Sequence, residues 1–339
     1  MTPTAEFRIT LDGEDLSPKI RPRLISLRIT EKRGGDADQL DLVLDDSDGR
    51  LSLPPEGAVL TVALGWKAGN GVAIGLVDKG RFKVDEVEHS GPPDTVTIRA
   101  SAADFASALT TRREQSWHDT TLGAIVQAVA GRHKLQARCA PALASIAVKA
   151  ASQERESDIA LLRRLGREHD AVATIKAGCL IFAPIGAGIT ATGKPLPGVT
   201  IRRRDGDRHS YRVEKREAAG KVVAEWHDRT GAKKKKVSAG TGDGAERKLS
   251  RVYASEGEAK RAAAAEAKRA GRAPRSLDLT LAFGRPDLAP EQPATAEGFK
   301  ADIDAQRWLI SEVNHQIDDR GGFTTALKLE LSGNAPPPA

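Results

Sequence analysis

Alternating apolar and polar residues dominate the first hundred positions of the chain. Glycine, aspartate and proline break the pattern into segments, which are residues 24–30, 40–44, 60–64, 82–89 and 95–100. A period of two gives a strand one buried face and one solvated face. This part of the chain is therefore predicted to be antiparallel β-structure, with hairpins over residues 24–44 and 82–100.

The middle of the chain changes to a helical period. Residues 103–114 have a helical composition, and Asp119 is the predicted N-cap of a helix over residues 120–133. Ser157 is the predicted cap of a further helix, whose apolar residues recur every three or four positions. The middle is therefore predicted to be a helical insertion between β-rich parts.

Strand signals return after a junction rich in Gly, Pro and Thr at residues 185–200. An Ala-, Glu- and Lys-rich helix is predicted over residues 255–271, with Gly271 as its stop. The four lysines of residues 233–236 and a glycine-rich turn at 240–244 are predicted to interrupt the strands. The predicted strands are residues 172–182 (with a turn at Ala177-Gly178), 199–201, 210–213, 221–227, 276–283, 294–299, 306–316 and 323–332.

Several blocks of the sequence recur in the same order near its two ends. Residues 82–89 recur as residues 308–315, each with an aromatic, an aliphatic two positions later and then Glu-Val-x-His. Residues 40–44 recur as 277–281, with leucine at every second position. These blocks predict two related β-modules, so that a trimer displays six similar modules around an axis. The predicted scaffold residues are Leu40, Leu42, Leu44, Phe82, Val84, Glu86, Val87 and His89 in the first copy, and Leu277, Leu279, Leu281, Trp308, Ile310, Glu312, Val313 and His315 in the second.

The recurring Glu-Val-x-His block is not predicted to be a chemical site. Strand alternation places Glu86 and Glu88 on one face and His89 on the other, so the side chains do not converge. The His-Asp pairs of the chain have no third ligand at metal spacing, and no serine or cysteine has the setting of a nucleophile. We therefore expect no catalytic residue, no metal and no cofactor.

Length, cysteine content and charge limit the number of domains, the compartment and the partners that the protein can have. A chain of 339 residues suggests two or three domains, no segment approaches the ~20 apolar residues of a membrane span, and no secretory leader precedes residue 7. Cys139 and Cys179 are predicted to be unpaired thiols of a protein assembled in a reducing compartment. Residues 200–275 carry a net charge of +11 within a total of +6, which suggests a polyanion or an acidic neighbour as partner. With 4% aromatic residues and no recognition helix, sequence-specific nucleic-acid binding is not expected.

Several longer motifs run from residue 7 to residue 332 and together resemble one family. They are residues 22–27 (PRLISL), 37–42 (ADQLDL), 46–51 (DSDGRL), 79–90 (KGRFKVDEVEHS), 111–117 (TRREQSW), 156–158 (ESD), 284–288 (GRPDL) and 298–300 (GFK). With them the chain resembles the phage late control gene D protein family, the hub of contractile tails, which is similar to the N-terminal part of type VI secretion spikes. Residues 229–250 depart from the family pattern.

The resemblance implies a fold that is mainly β with α (α+β), with two tube-like antiparallel β-barrel modules and a helical insertion. The first module spans residues 1–113 and is completed by returning strands and the junction at 172–200. An α-rich inserted domain spans 114–171, the second module spans 201–333 and includes helix 255–271, and residues 334–339 form a tail.

The resemblance also implies a structural baseplate or tail hub without enzymatic activity, in a phage tail or a phage-tail-like particle assembled in the bacterial cytoplasm. A homotrimer is implied, whose pseudo-six-fold ring joins the tail tube ring to the trimeric central spike, with the tape measure and other baseplate proteins as further partners and without membrane insertion. The alternatives are a tail-tip peptidoglycan hydrolase and a nucleic-acid-binding protein that uses the basic residues 202–248.

Overall fold

Strands dominate the fold, and the helices are fewer and mostly short, so the protein is mainly β with α, as predicted. The computed structural model describes residues 1–34, 37–55, 57–102, 109, 111–176, 178–186, 194–214, 220–228, 231, 233–240, 245–272, 275–318 and 322–332.

The first hundred residues form antiparallel strands with a buried face of alternate apolar side chains, as the period of two predicts. A helix of one turn, α1 (Ser17–Ile20), and a 3₁₀ turn (Arg21–Arg23) interrupt them. The strands are β1 (Thr4–Leu11), β2 (Glu14–Asp15), β3 (Leu24–Lys32), β4 (Gln39–Asp45), β5 (Val59–Ala68), β6 (Gly75–Ser90) and β7 (Thr95–Ala102). Both predicted hairpins are present, as β3–β4 and β6–β7.

The middle of the chain mixes strands with helices. The Ser157 hydroxyl accepts a hydrogen bond from the Ala160 amide and caps the third helix of this part, as predicted. The elements are β8 (Arg112–Thr121), α2 (Leu122–Arg132), β9 (Gln136–Cys139), α3 (Pro141–Ala144), β10 (Ala147–Ser157), α4 (Asp158–His169), β11 (Ala171–Lys176) and β12 (Cys179–Pro184).

The last part of the chain contains a second set of strands, most of them paired antiparallel, with one long helix and one short helix. A 3₁₀ turn (Arg203–Asp205) joins its first two strands. The elements are β13 (Val199–Arg202), β14 (Gly206–Val213), β15 (Lys221–Asp228), β16 (Lys233–Ala239), β17 (Glu246–Tyr253), α5 (Glu256–Arg272), β18 (Arg275–Leu281), β19 (Pro293–Glu297), α6 (Ala301–Asp304), β20 (Arg307–Asp318) and β21 (Gly322–Leu331).

One sheet of 13 strands runs through both ends of the described chain. Its main order is β14-β18-β21-β20-β3-β4-β7-β6-β5-β1-β2, and β19 pairs with β20 and with β13. The two halves of this sheet meet where β20 pairs antiparallel with β3. Strands from opposite ends of the sequence are therefore hydrogen-bonded neighbours.

The described residues form four clusters of buried apolar side chains. One lies in the β1–β7 half and also takes Ile317 and Phe323 from the other end of the chain. A second lies in the β18–β21 half around Trp308, which is fully buried. A third fills the middle part, and a fourth lies between α5 and the three-stranded sheet β16-β15-β17.

The middle part differs from its predicted form in two places. Arg112–Glu114, part of the predicted helix 103–114, lie in strand β8, while residues 103–108 and 110 of that prediction lie outside the described residues. Asp119 is also in β8, and the cap of α2 is Thr121, whose hydroxyl accepts from Ala124. The reason is that β8 pairs with β10 as far as Thr121, so the helix begins later.

Three further segments pack elsewhere than the sequence suggested. Strands β11 and β12, expected to complete the first module, pair with β9 and pack in the core of the middle part. Lysines 233–236, expected to interrupt the strands, begin β16, which pairs along its length with β15. Helix α5 continues through Gly271 to Arg272 and packs mainly on the sheet of β15–β17, with the β18–β21 half contacted at its C-terminal end through Arg272 and Glu330.

Candidate assembly interface

The predicted scaffold residues lie on four strands of the large sheet, namely β4, β6, β18 and β20. Most of them face the two β-cores and are buried. These are Leu40, Leu42, Leu44, Phe82 and Val84 in the first half, and Leu277, Leu279, Leu281, Trp308, Ile310, Val313 and His315 in the second. Glu86 and His89 are exposed, while Val87 and Glu312 are partly buried. The four strands therefore combine a core face with a smaller polar surface.

Strand pairing follows the same register in the two halves. Leu40 of β4 lies opposite Ala100 of β7, and Leu277 of β18 lies opposite Leu329 of β21. On the other side of the middle strand, β7 pairs with β6 and β21 pairs with β20. The order β4-β7-β6 in one half thus matches the order β18-β21-β20 in the other.

A β-bulge falls at the same point of the recurring block in both halves. The register shifts between Val84 and Glu86 in the first half, and between Ile310 and Glu312 in the second. A bulge adds one residue to a strand and re-aims the side chains that follow it. Each block is therefore bent at the residue before its glutamate.

Each bulge is followed by the same type of cross-strand ion pair. Glu86 lies opposite Arg99, with 2.8 Å between their charged atoms. Glu312 lies opposite Lys328, at 3.0 Å. Opposite charges on facing strands stabilise a sheet modestly at exposed positions.

The histidines of the two blocks have different surroundings. His89 is exposed, and its Nε2 lies 3.5 Å from the Asp46 carboxylate. His315 is fully buried, its Nδ1 lies 2.9 Å from the Thr325 hydroxyl, and its Nε2 lies 3.3 Å from Glu31. Glu31 belongs to β3, so its contact with His315 of β20 links the two halves of the sheet. The sequence motif around His315 does not indicate this contact.

A buried polar cluster surrounds Glu31 at the junction of the two halves. The ammonium of Lys79 lies 2.7 Å from the Glu31 carboxylate, and that of Lys176 lies 3.9 Å away. Burial by itself raises the pKa of Glu31, but the hydrogen bond with His315 and the charges of both lysines lower that pKa to about 2. Glu31 is therefore an anion that joins β3, β6, β11 and β20. No sequence motif singles out Glu31, although its partner Lys79 belongs to one of the family motifs.

A second charged network lies nearby and joins the middle part of the chain to the sheet. Arg33 forms ion pairs with Glu291 and, at 2.5 Å, with Glu330. Glu330 in turn lies 3.4 Å from Arg272, which also donates a 2.8 Å hydrogen bond to Asp170. These residues come from distant parts of the sequence, so no local motif reveals the network.

The loop after β18 connects the two cores through Gly284. The Gly284 carbonyl accepts a 2.8 Å hydrogen bond from the Trp66 indole of the first half. The Gly284 amide donates to the Phe323 carbonyl at 2.7 Å, and a Cβ at this position would lie under 3.0 Å from three Phe323 ring carbons. The close approach explains why glycine occupies the start of the GRPDL motif.

The basic segment is partly paired within the chain. Lys235 lies 2.7 Å from Asp228 and over the Trp226 ring, and Lys248 lies 2.7 Å from Glu225. The remaining lysines of β16 are exposed on the outer strand of their three-stranded sheet. Lysine at a sheet edge hinders unintended pairing with another strand.

The cysteines, possible metal ligands and possible membrane-spanning helices remain to be described. Cys139 and Cys179 are free thiols, and burial raises the pKa of Cys139 to about 11. The described residues contain no cluster of three or more groups suited to hold a metal ion. None of the described helices has the length and apolar character required to cross a bilayer.

Comparison with known proteins gives consistent relatives over nearly the whole chain. The model of the family described as "Phage tail baseplate hub (GPD)" matches residues 40–321. The "Probable baseplate hub protein" of Escherichia phage 186 is 41% identical, over 96% of this chain and 92% of the relative. The protein of the same description from Escherichia phage P2 is also 41% identical, over 97% and 94%.

Solved structures with the same fold are also tail proteins. The tail protein from Neisseria meningitidis MC58 aligns with a TM-score of 0.72 at 13% identity, over 97% of each chain. The 43 kDa tail protein of prophage MuSo2 from Shewanella oneidensis aligns with a TM-score of 0.69 at 15% identity, over 97% of this chain and 99% of that one. At such low identity these structures show the fold alone.

The fold and its relatives define the class as structural proteins of phage tails. The chain belongs to the phage tail baseplate hub family, and it is a baseplate hub protein of a phage tail. It is thereby a component of the virion tail.

Proposed function

We propose that three copies of this hub protein form a pseudo-six-fold ring that joins the six-fold tail tube to the three-fold central spike. Each copy contributes two tube-like β-modules related by an internal repeat, one built on β3–β7 and the other on β14 and β18–β21. A three-fold ring then offers six similar surfaces to the tube and three identical ones to the spike. The function lies in this geometry, without a catalytic step.

The single observation that carries the proposal is the equal placement of two bulges in the two halves. The register shifts between Val84 and Glu86, and again between Ile310 and Glu312, at the same point of the recurring block. A second pair of shifts lies between Leu24 and Ser26 and between Gly206 and Arg208. Two unrelated sheets have no reason to share these positions, so the match supports a repeat of structure.

In this ring the scaffold residues form the framework that holds the modules in shape. Their buried side chains keep each module rigid, and the cluster around Glu31 fixes the angle between the two modules of one chain. Rigid modules are required because a ring closes only if every junction has the same angle. The tape measure and other baseplate proteins are the further partners that a hub at this position contacts.

The mass and the symmetry of the assembled particle test the proposal. We expect light scattering to give about 108 kDa, three times the 36.1 kDa chain, for the concentrated protein or after addition of its spike. Negative-stain averages are expected to show a ring with six lobes. A chain that remains a monomer in the presence of the spike would sink the proposal.

A further inference from the structure

The two halves of the chain are joined along one edge of β20. The N-terminal part of β20 pairs with β19. The C-terminal part of β20 pairs with β3 along the same edge, where Val313 lies opposite Glu31 and Asn314 lies opposite Thr30. One edge of β20 therefore serves two neighbours, the second of which belongs to the other half.

The repeat identifies the strands that correspond to β20 and β3. Strand β6 corresponds to β20, since both carry the Glu-Val-x-His block and the bulge before its glutamate. Strand β14 corresponds to β3, because Ile29 of β3 lies opposite Leu40, while Tyr211 of β14 lies opposite the equivalent Leu277. The counterpart of the β20–β3 junction is thus a pairing of β6 with β14.

These two counterpart strands have free edges in the described chain. Strand β6 pairs with β5 as far as Lys83, and Val84 exchanges backbone hydrogen bonds with residues 57 and 58. The described residues beyond Val84 have no strand on this edge, and β14 pairs with β18 alone. Free edges of this kind are templates for pairing with another chain.

The exposure of β14 fits a missing neighbour. His209 is exposed, although the equivalent residue of β3, Leu27, is fully buried. Val213 is 60% exposed at the end of the strand, on the face that carries the core residues of the other strands. A strand added beside β14 would cover the Val213 side chain.

We propose that residues 87–90 of β6 in one copy pair antiparallel with residues 210–213 of β14 in a second copy, repeating the β20–β3 junction. The pairing rests on the ring proposed above and names its contact between copies. Transfer of the internal register places Val87 opposite Val213 and Glu88 opposite Arg212.

The chemistry of the transferred register is complementary. Glu88 and Arg212 carry opposite charges on the solvated face, and Val87 and Val213 are both apolar on the core face. Backbone hydrogen bonds supply the general affinity of an added strand, and facing side chains supply its specificity. Because each copy has one free β6 edge and one free β14 edge, the contact is head-to-tail, and three such contacts alternate with three internal junctions to close a ring.

A disulfide cross-link tests the register directly. In the assembled full chain, the Glu88→Cys/Arg212→Cys variant is expected to give covalent dimers and trimers on oxidation and nothing larger. The matched control, Glu88→Cys/Arg208→Cys, displaces one cysteine by four residues, about 13 Å along the strand, beyond disulfide reach. The parent chain, oxidised in parallel, accounts for the native Cys139 and Cys179.

The outcomes separate the contact from the ring. A particle of trimer mass in which the 88/212 pair gives no cross-link overturns the strand pairing and leaves the ring intact. Equal cross-linking of the 88/208 control overturns the register. A chain that stays monomeric with its spike overturns both the pairing and the ring.

Charge exchange provides an independent readout without cysteine. Either Glu88→Arg or Arg212→Glu places like charges opposite each other, and we expect the protein concentration at half-assembly to rise about tenfold. The double variant Glu88→Arg/Arg212→Glu is expected to return to the parent value. A double variant as weak as the product of the two single effects would contradict a direct pairing of these residues.

Discussion

The substitution Gly284→Ala tests how tightly the two halves of the hub protein are packed together. An added methyl would lie under 3.0 Å from three ring carbons of Phe323, which is itself buried. Because the Phe323 ring is only 1% exposed, the loop that carries Gly284 is expected to move away from it. That movement also lengthens the hydrogen bond from the Trp66 indole to the Gly284 carbonyl.

The size of the effect follows from these two contributions. Overpacking of a filled core costs about 1–3 kcal/mol, and weakening of a buried hydrogen bond costs about 1 kcal/mol more. We therefore expect the free energy of unfolding to fall by about 2–4 kcal/mol. For a domain of 150–250 residues, each kcal/mol lowers the melting temperature by about 2–4 °C.

Thermal unfolding followed by circular dichroism, with urea unfolding alongside, measures the change. Gly131→Ala is the matched control, because Gly131 lies in α2 with nothing within 4 Å of an added Cβ. Alanine there is expected to stabilise the chain by about 0.5–1 kcal/mol. If Gly284→Ala unfolds within about 0.5 kcal/mol of the parent while the control behaves as expected, the packing argument at Trp66 and Phe323 is wrong.

Three further substitutions probe other parts of the molecule. Arg272→Met leaves the buried Asp170 carboxylate without its cation, so urea unfolding is expected to show a loss of about 3–5 kcal/mol; an unchanged midpoint would refute a structural role for the pair. Ser157→Ala removes the cap of α4 and is expected to cost about 1 kcal/mol, whereas Ser157→Asp should retain most of it. Burial, with the nearby charge of Arg261, lowers the pKa of His169 from 6.5 to about 4, so the unfolded chain binds a proton first as the pH falls. Stability is therefore lost between about pH 6.5 and pH 4, and His169→Gln is expected to flatten that slope; parallel pH profiles for parent and variant would contradict it.

The sequence predicted the strands of the large sheet well because their pattern is local. Alternating leucines in residues 40–44 and 277–281 mark a buried face wherever the strand lies in the sheet. The boundaries of the elements in the middle part were harder to predict. Residues 112–114 have a helical composition, but they lie in a strand because β8 pairs with β10. The lysines of β16 were predicted to interrupt the strands because lysine has a low strand preference. They lie in a strand because they pair with β15.

The residues that join distant parts of the chain could not be predicted from the sequence. His89 and His315 occupy the same position of a recurring block, but only His315 meets a carboxylate from a strand almost 300 residues away. Glu31 carries no motif of its own, and Arg272 ends a helix whose packing the composition does not specify. Contacts of this kind depend on how distant segments meet, which no local pattern encodes.

The arrangement of six modules around one axis is the central claim, and a reconstruction of the assembled hub without imposed symmetry tests it most directly. We expect a three-fold ring in which rotation by 60° superposes each β3–β7 module on a β18–β21 module, with β6 of one copy beside β14 of the next. A particle of another symmetry, or a three-fold particle whose two kinds of module lie at different radii, would contradict the account.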